Sequence, residues 1–500
     1  VPISQEQLNK ALDKVDITLK VNLAEPALRG LEEHANIVMI DKAIPIIGAY
    51  PCRIFEATKT SYTPSPIFDS PEFPNETEPA IIHDADPRWQ KIVEDNPEIP
   101  RYDQIGVTKY THKIYKTDDG KEIFPDPIDG RGLEQCAIEL ANADFKSTWQ
   151  CRIQTVSDSI VGTQARGSGG LDLSTSAGLP YKCETGLPGK TNWISYNFDT
   201  NTLNIHNTLQ DRINEIWEYI QSNSYPIRVY EMLLKDETVP KSKIYEKPKT
   251  RTITSAPLDV SIVNGQLFGD ISRAMKINPC TDTRIVCGYN PESLETHDMI
   301  EWLEFHETVI AFDIKNWDGW FPAALNRAVA SYYYTTLKNA YAHREEQPPV
   351  DLKCIYTFVE AQNSAYITYR GRVFQACKGM KSGERDTLVK NSIGHKILDY
   401  YFFKNIMTAA GKPLLANIEC YNKLLRSLFC GDDVIRAVHP LFDHILTPMA
   451  FVEEYNRLGC NVTSARKDYI FGFEHIEEAQ FVKMNFRFSN RLYRWTIVPA

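Results

Sequence analysis

Two adjacent aspartates, Asp432 and Asp433, stand between two apolar runs in the stretch SLFCGDDVIRAV, Ser427 to Val438. Carboxylates about 4 Å apart repel by about 4 kcal/mol at an effective dielectric near 20. A chain tolerates that where water screens the charges or a cation sits between them. A second pair of acids, Asp313 and Asp318, lies in AFDIKNWDGW, Ala311 to Trp320. If the two segments are neighbours in one sheet, Asp313 and Asp432 face each other. They can then hold two divalent cations about 3.5–4 Å apart, the arrangement used for in-line phosphoryl displacement. Two Mg²⁺ or Mn²⁺ ions suit such a site, because Mg²⁺ needs only one or two carboxylates, waters and substrate phosphates. The plainer alternative is that Gly431-Asp432 merely makes a hairpin turn, where Asp is common.

Two further constellations carry polar chemistry. In GMKSGERDTLVKNS, Ser382 and Gly383 sit in a loop, and Thr387 and Asn391 are spaced i, i+4 and so share one helical face. Together they could grip a sugar or a template; a capped helix start is the alternative. The stretch Lys235 to Thr254 carries six basic residues, Lys235, Lys241, Lys243, Lys247, Lys249 and Arg251, against three acids, Asp236, Glu237 and Glu246. On an extended ribbon these would line a channel for phosphates; a solvated charged hairpin is the alternative. ARGSGG, Ala165 to Gly170, lacks the G-K-[ST] ending of a P-loop. The histidines show no H-E-x-x-H spacing, and Cys430 reads as a small buried hydrophobe.

The elements that must hold these groups are legible in outline. ETVIAFDI, Glu307 to Ile314, is a β-branched and aromatic run and predicts a buried strand. SLFC and VIRAV flank Gly431-Asp432 and predict a tight hairpin. Helical spacing marks Leu209 to Asn223, and Thr387 to Asn405 reads as a helix after a Gly-containing loop. Residues 45–130 are rich in proline and read as extended, turn-rich packing over a surface. Interspersed helices and short antiparallel strands indicate an α+β fold. The 500 residues suggest two to four domains or one multi-lobed enzyme, and 43% hydrophobic content supports a full core. No apolar run is long enough for a transmembrane helix, and the N-terminus lacks a signal pattern. Eleven cysteines without a C-x-x-C pair point to a reducing compartment, hence the cytosol. The net charge of −10 argues against a chain coated with nucleic acid, though not against a local basic channel. The start at Val1 suggests processing from a longer precursor or a trimmed chain.

Taken in order, these segments resemble the RNA-dependent RNA polymerases of picorna-like positive-strand RNA viruses, from about Thr175 to Lys483. TSAGLPY, with Thr175, Ser176 and Gly178, resembles the family's template-entrance motif, and the Lys235–Arg251 ribbon its nucleotide-entrance motif. Asp313 and Asp318 match the first palm motif, and Ser382, Gly383, Thr387, Asn391 and Ser392 the second. Gly431, Asp432 and Asp433 match the third; TSARKD with Lys467 resembles the fourth, and FVK with Lys483 the primer-grip turn. TKTSYTPSPI near Lys59 is similar to the index finger of insect- and plant-infecting relatives, which suggests a dicistrovirus- or iflavirus-like source.

The resemblance implies a right-hand polymerase with an antiparallel palm sheet flanked by helices, synthesising RNA for viral genome replication. It implies fingers over 1–267 with an enlarged N-terminal region, palm over 268–320 and 379–482, and a fingers insertion over 321–378. Residues 483–500 would begin a thumb that is otherwise largely absent. Asp313 and Asp432 would hold the metals, with Asp433 as a weaker ligand, and Lys467 would protonate the leaving pyrophosphate. Lys235, Lys243, Lys249 and Arg251 would bind the nucleoside triphosphate. Asp318, Ser382, Thr387 and Asn391 would surround its ribose, while Thr175, Ser176, Gly178, Gly383 and Lys483 would meet template and product RNA. Implied partners are RNA, ribonucleoside triphosphates and a small viral protein primer, in host cytoplasm at virus-induced membrane sites. The alternatives are a reverse transcriptase-like polymerase and a non-catalytic RNA-binding scaffold. Three departures from the family pattern stand out: Cys430 for the usual Tyr, Val239 at a commonly basic position, and the charged loop Glu384–Asp386.

Overall fold

The β-branched run Val309–Ile314 forms the inner strand of a four-stranded antiparallel sheet in the computed structural model. The structure describes residues 46–49, 60–62, 77–97, 115–116, 122–123, 127–163, 169–185, 189–464 and 471–499, apart from single positions 198, 201, 247, 292, 305, 307 and 377. Across the sheet the order is Leu425–Cys430, Asp433–Val438, Val309–Ile314 and Val462–Ser464. The first two strands are the hairpin expected around Gly431-Asp432, paired from Leu425↔Val438 to Cys430↔Asp433.

Both faces of this sheet are covered, so its strands read as continuous apolar runs rather than alternating ones. Ile310, Phe312, Ile314, Phe429 and Val434 belong to the main core, which also takes in residues of the helices Thr387–Ala409 and Pro448–Arg457. Val309, Ala311, Leu428, Ile435 and Ala437 join a second core with the helix Glu295–Glu304. Each Val, Leu, Ile or Phe among these contributes about 1.5–3 kcal/mol on burial. The second core is closed by three C-terminal strands, Gln480–Phe481, Met484–Ser489 and Arg494–Pro499. Residues 484–499 thus form a β-hairpin, and Trp495 Nε1 ties it to Glu304 at 2.9 Å.

A second sheet has the order Ile46–Ala49, Arg372–Gln375, Tyr366–Tyr369, Val229–Leu234 and Thr252–Ser255. The basic ribbon links its last two strands. Midway, Thr238–Pro240 pairs with Thr77–Pro79. Residues 45–130 are not extended throughout: Asp86 caps a helix, Pro87–Asp95, with Pro at its first position and Trp89 and Ile92 buried. These side chains, with Ala80, Ile81, Ile244 and Val239, form a small separate core. Val239 is therefore apolar because the N-terminal segment covers it. Among the described residues no helix is long and apolar enough to cross a membrane.

Candidate active site

Gly431 has φ +67° and opens the two-residue turn of the hairpin. A positive φ at that position favours glycine, so the turn can be tight and still present the next side chain at its tip. That side chain is Asp432. On the neighbouring strand the register runs from Val309↔Ala437 to Phe312↔Val434, and its continuation sets Asp313 level with Asp433. Asp318 lies one turn further, in the short helix Trp317–Trp320 entered through Asn316 at φ +60°. Met380 N–H donates to the Asp318 carbonyl at 2.7 Å, tying this turn to the loop before Ser382.

The acids meet at Asp432. Burial, foremost, and the like charges of Asp318 and Asp313 push its carboxyl up to about 6 from an ordinary 3.8. Its own backbone N–H and the Arg251 guanidinium act in the opposite sense without prevailing. Among the described residues no group of three or more His, Cys, Asp or Glu is arranged as a ready-made metal cage. A hard cation that keeps its waters needs only one or two carboxylates, and acids crowded at a turn tip fit it.

Arg251 reaches this centre from the ribbon. Its Nε donates to Glu237 Oε1 at 2.6 Å and its Nη2 to Glu237 Oε2, a two-pronged grip. Lys235 Nζ lies 3.3 Å from the same carboxylate, and Lys235 N–H donates to the Arg251 carbonyl at 2.8 Å. Burial is the largest single influence on Glu237 and opposes its ionisation, but the hydrogen bonds and charges of Arg251 and Lys235 together outweigh it and its pKa is lowered. The ribbon is braced from the N-terminal segment: Asp236 accepts from Thr60 Oγ1, Ser61 N–H and Ser61 Oγ, each at 2.6 Å. Lys243 and Lys249 are exposed, their backbones joined by a 3.0 Å hydrogen bond.

Comparison with known proteins decides what this arrangement belongs to. Residues 65–496 match the family model for viral RNA-dependent RNA polymerase. The chain belongs to that family. It is 24% identical over 446 residues to the RNA1 polyprotein of Andean potato mottle virus, covering 86% of this chain and 56% of the relative. It is 26% identical over 330 residues to the genome polyprotein of human hepatitis A virus, isolate HAS-15, covering 65% of this chain and 15% of the relative. The chain thus spans about half, or much less, of the length of these relatives. In fold it is similar to the Sicinivirus 3Dpol RNA dependent RNA polymerase, with a TM-score of 0.68 at 20% identity over 90% of this chain and 83% of that one.

Apart from Lys467, the remaining motif residues of this family member occupy defined places. Ser382 Oγ accepts from Thr254 N–H at 3.2 Å, and Gly383 N–H donates to the Thr254 carbonyl at 2.9 Å. A Cβ on Gly383 would meet that carbonyl oxygen at 2.3 Å, so the close approach of loop to sheet requires glycine. Thr387 Oγ1 donates to the Glu384 carbonyl at 2.5 Å, and Asn391 Oδ1 accepts from Trp317 Nε1 at 3.0 Å. Thr387 thus bonds back into its own loop, whereas Asn391 reaches the turn that carries Asp318.

Gly178, at φ +69°, lies against the Ala256 carbonyl, where a Cβ would come within 2.4 Å. Ser176 Oγ accepts from Gly178 N–H at 3.1 Å. Lys190, buried, donates to the Thr175 carbonyl at 3.0 Å and to Thr175 Oγ1. Lys483, exposed, sits at φ +57° in the turn between Gln480–Phe481 and Met484–Ser489. Lys467 lies outside the described residues.

Two departures have structural causes. Burial pushes the Cys430 thiol up to about 12, with Cys287 and the two adjacent acids adding to it, so it stays protonated. The loop charges are absorbed internally: Glu384 pairs with Lys390 at 2.9 Å, and Asp386 accepts from Asn264 and Tyr333. Sequence reasoning missed Glu237 and Lys190 as organising residues. Glu237 was countable only as an acid in a basic run; Lys190 carried no spacing signal.

Proposed function

We propose that this chain copies an RNA template from ribonucleoside triphosphates, with Asp313 and Asp432 holding two divalent ions and Asp433 assisting. The observation that carries this reading is the crowding of Asp318 and Asp313 on a half-buried Asp432 at a hairpin tip, within a family of RNA polymerases. When bound, the ions activate the primer 3′-hydroxyl and neutralise the departing pyrophosphate. Arg251, with Lys235, Lys243 and Lys249, receives the triphosphate, its fork suited to phosphate as it is to Glu237. Asp318 and Asn391, joined through the Trp317 turn, take the ribose with Ser382 and Thr387. Lys467 protonates the leaving group. Thr175, Ser176, Gly178, Gly383 and Lys483 follow the RNA strands. Residues 268–320 and 379–482 act as palm, with fingers from 1–267 and 321–378. A viral protein primer and membrane-bound replication sites in the host cytoplasm complete the proposal.

The test is extension of a primed RNA template by the full chain with Mg²⁺ and ribonucleotides. The reading expects incorporation that Asp432→Asn abolishes. RNA binding without extension or metal binding would instead favour the scaffold alternative. Equal use of deoxyribonucleotides and ribonucleotides would favour a reverse transcriptase-like enzyme.

A further inference from the structure

Behind the hairpin turn, the helix Thr387–Ala409 grips Gly431 at both of its backbone polar groups. Gly431 N–H donates to Ser392 Oγ at 2.8 Å, and the Gly431 carbonyl lies 3.2 Å from His395 Nδ1. Ser392 and His395 are three residues apart and share one face of that helix. The His395 ring is fully buried, with Trp317 4.9 Å and Phe429 5.1 Å away between ring centres.

The tautomer of that ring follows from hydrogen-bond direction. Arg436, a donor only, gives an Nη2–H to Tyr455 Oη at 2.8 Å. Tyr455 then has its own O–H left to give, and it lies 2.5 Å from His395 Nε2. The Gly431 carbonyl can only accept, so Nδ1 carries the proton that it receives, and Nε2 of the neutral ring accepts the Tyr455 O–H. Arg436 is itself held by Asp399, which also accepts from Tyr421 and Ser427 at 2.9 Å each. Its guanidinium further lies over the rings of Phe451 at 4.7 Å and Phe312 at 5.2 Å. The Gly431 carbonyl and the Asp432 N–H belong to one planar peptide unit, and that N–H supports the Asp432 carboxylate.

We propose that His395 is a positioning residue for the acid centre: through its Nδ1–H it fixes the Gly431–Asp432 peptide plane, and Arg436 and Tyr455 select the tautomer that does so. The inference rests on the polymerase reading of Asp432. Groups that orient a metal ligand are worth about 10- to 100-fold in metal affinity or activity when lost.

The test compares the full chain with Tyr455→Phe, His395→Asn and His395→Phe. Tyr455→Phe keeps the ring in the core and removes only the selecting hydroxyl. Asn offers an N–H close to where Nδ1–H stood; Phe offers none. Three readouts apply: nitrogen-15 shifts of labelled histidine, assigned by the signal that His395→Asn removes; Mn²⁺ affinity; and kcat with KM in primer extension. The expected wild type is Nδ1–H. Tyr455→Phe and His395→Phe should lower Mn²⁺ affinity and kcat about tenfold, with nucleotide KM held within about twofold. His395→Asn should stay within about threefold of wild type.

An Nε2–H tautomer in an active wild type overturns the inference. So does His395→Asn falling as far as His395→Phe, or Tyr455→Phe matching wild type in both affinity and kcat. A wild-type chain that extends no primer sinks the polymerase proposal instead, and the tautomer can still be read.

Discussion

Two aspartates flank the same hairpin and live under opposite rules. Asp399, fully buried, is matched by Arg436, Tyr421 and Ser427. Asp432, at the tip, has Asp318 and Asp313 for neighbours and an Arg251 already engaged by Glu237. The chain neutralises a buried acid on the helix packed against this sheet, and at the half-buried Asp432 it does not do so fully. An acid whose supports do not offset its burial and like charges, beside one that is fully matched, marks where an external cation is expected.

Removing each charge should separate the two. Asp432→Asn should cut nucleotide incorporation by at least about 10³-fold while leaving the thermal melt unchanged or higher. The sign follows from its raised pKa: ionising Asp432 opposes folding above about pH 6, and that penalty is relieved as pH falls toward 3.8. The stability gap between the metal-free wild type and Asp432→Asn should therefore narrow from pH 7 to pH 5. Asp399→Ala should do the reverse, lowering stability by about 3–5 kcal/mol because Arg436 is left buried without its carboxylate. Chemical denaturation monitored at the tryptophans reads this. A catalytic loss from Asp399→Ala with no loss of stability would break the comparison.

Smaller effects sharpen it. Asp318→Ala should reduce preference for ribonucleotides over deoxyribonucleotides about tenfold, since a site that bonds the 2′-hydroxyl penalises its absence. Competitive primer extension measures this. Glu237→Gln should loosen Arg251 and raise nucleotide KM about fivefold with a lesser change in kcat. An unchanged KM would mean that Glu237 does not hold Arg251 in a productive place.

The front of the hairpin was legible in sequence and its back was not. Gly431-Asp432 between apolar runs, and the β-branched run ending at Asp313, announced the strands and the acids because strand propensity and turn chemistry are local. That the two strands adjoin followed only from pairing acids more than a hundred residues apart. Arg436 is a charge in the otherwise apolar run VIRAV, on one strand face with Val434 and Val438, and a lone charge in a strand is ordinarily exposed. Arg436 is fully buried because both faces of this sheet are covered. Asp399, a lone acid in the apolar helix segment ILDYYFF, was the available signal for its partner. Glu237 was legible as composition but not as the clasp of Arg251, since ion-pair geometry depends on the fold of the ribbon. Val239 was hidden because a separate small core decides it, whereas the helix Pro87–Asp95 carried a local Asp-Pro start signal within a proline-rich stretch.

Calorimetric titration of the full chain with Mn²⁺ is the most direct test of the central claim that Asp432 and Asp313 hold divalent cations. Wild type should bind Mn²⁺ near neutral pH, more weakly as pH drops through about 6 and the Asp432 proton competes, and Asp432→Asn should not bind. Equal Mn²⁺ affinity in wild type and Asp432→Asn would contradict the account.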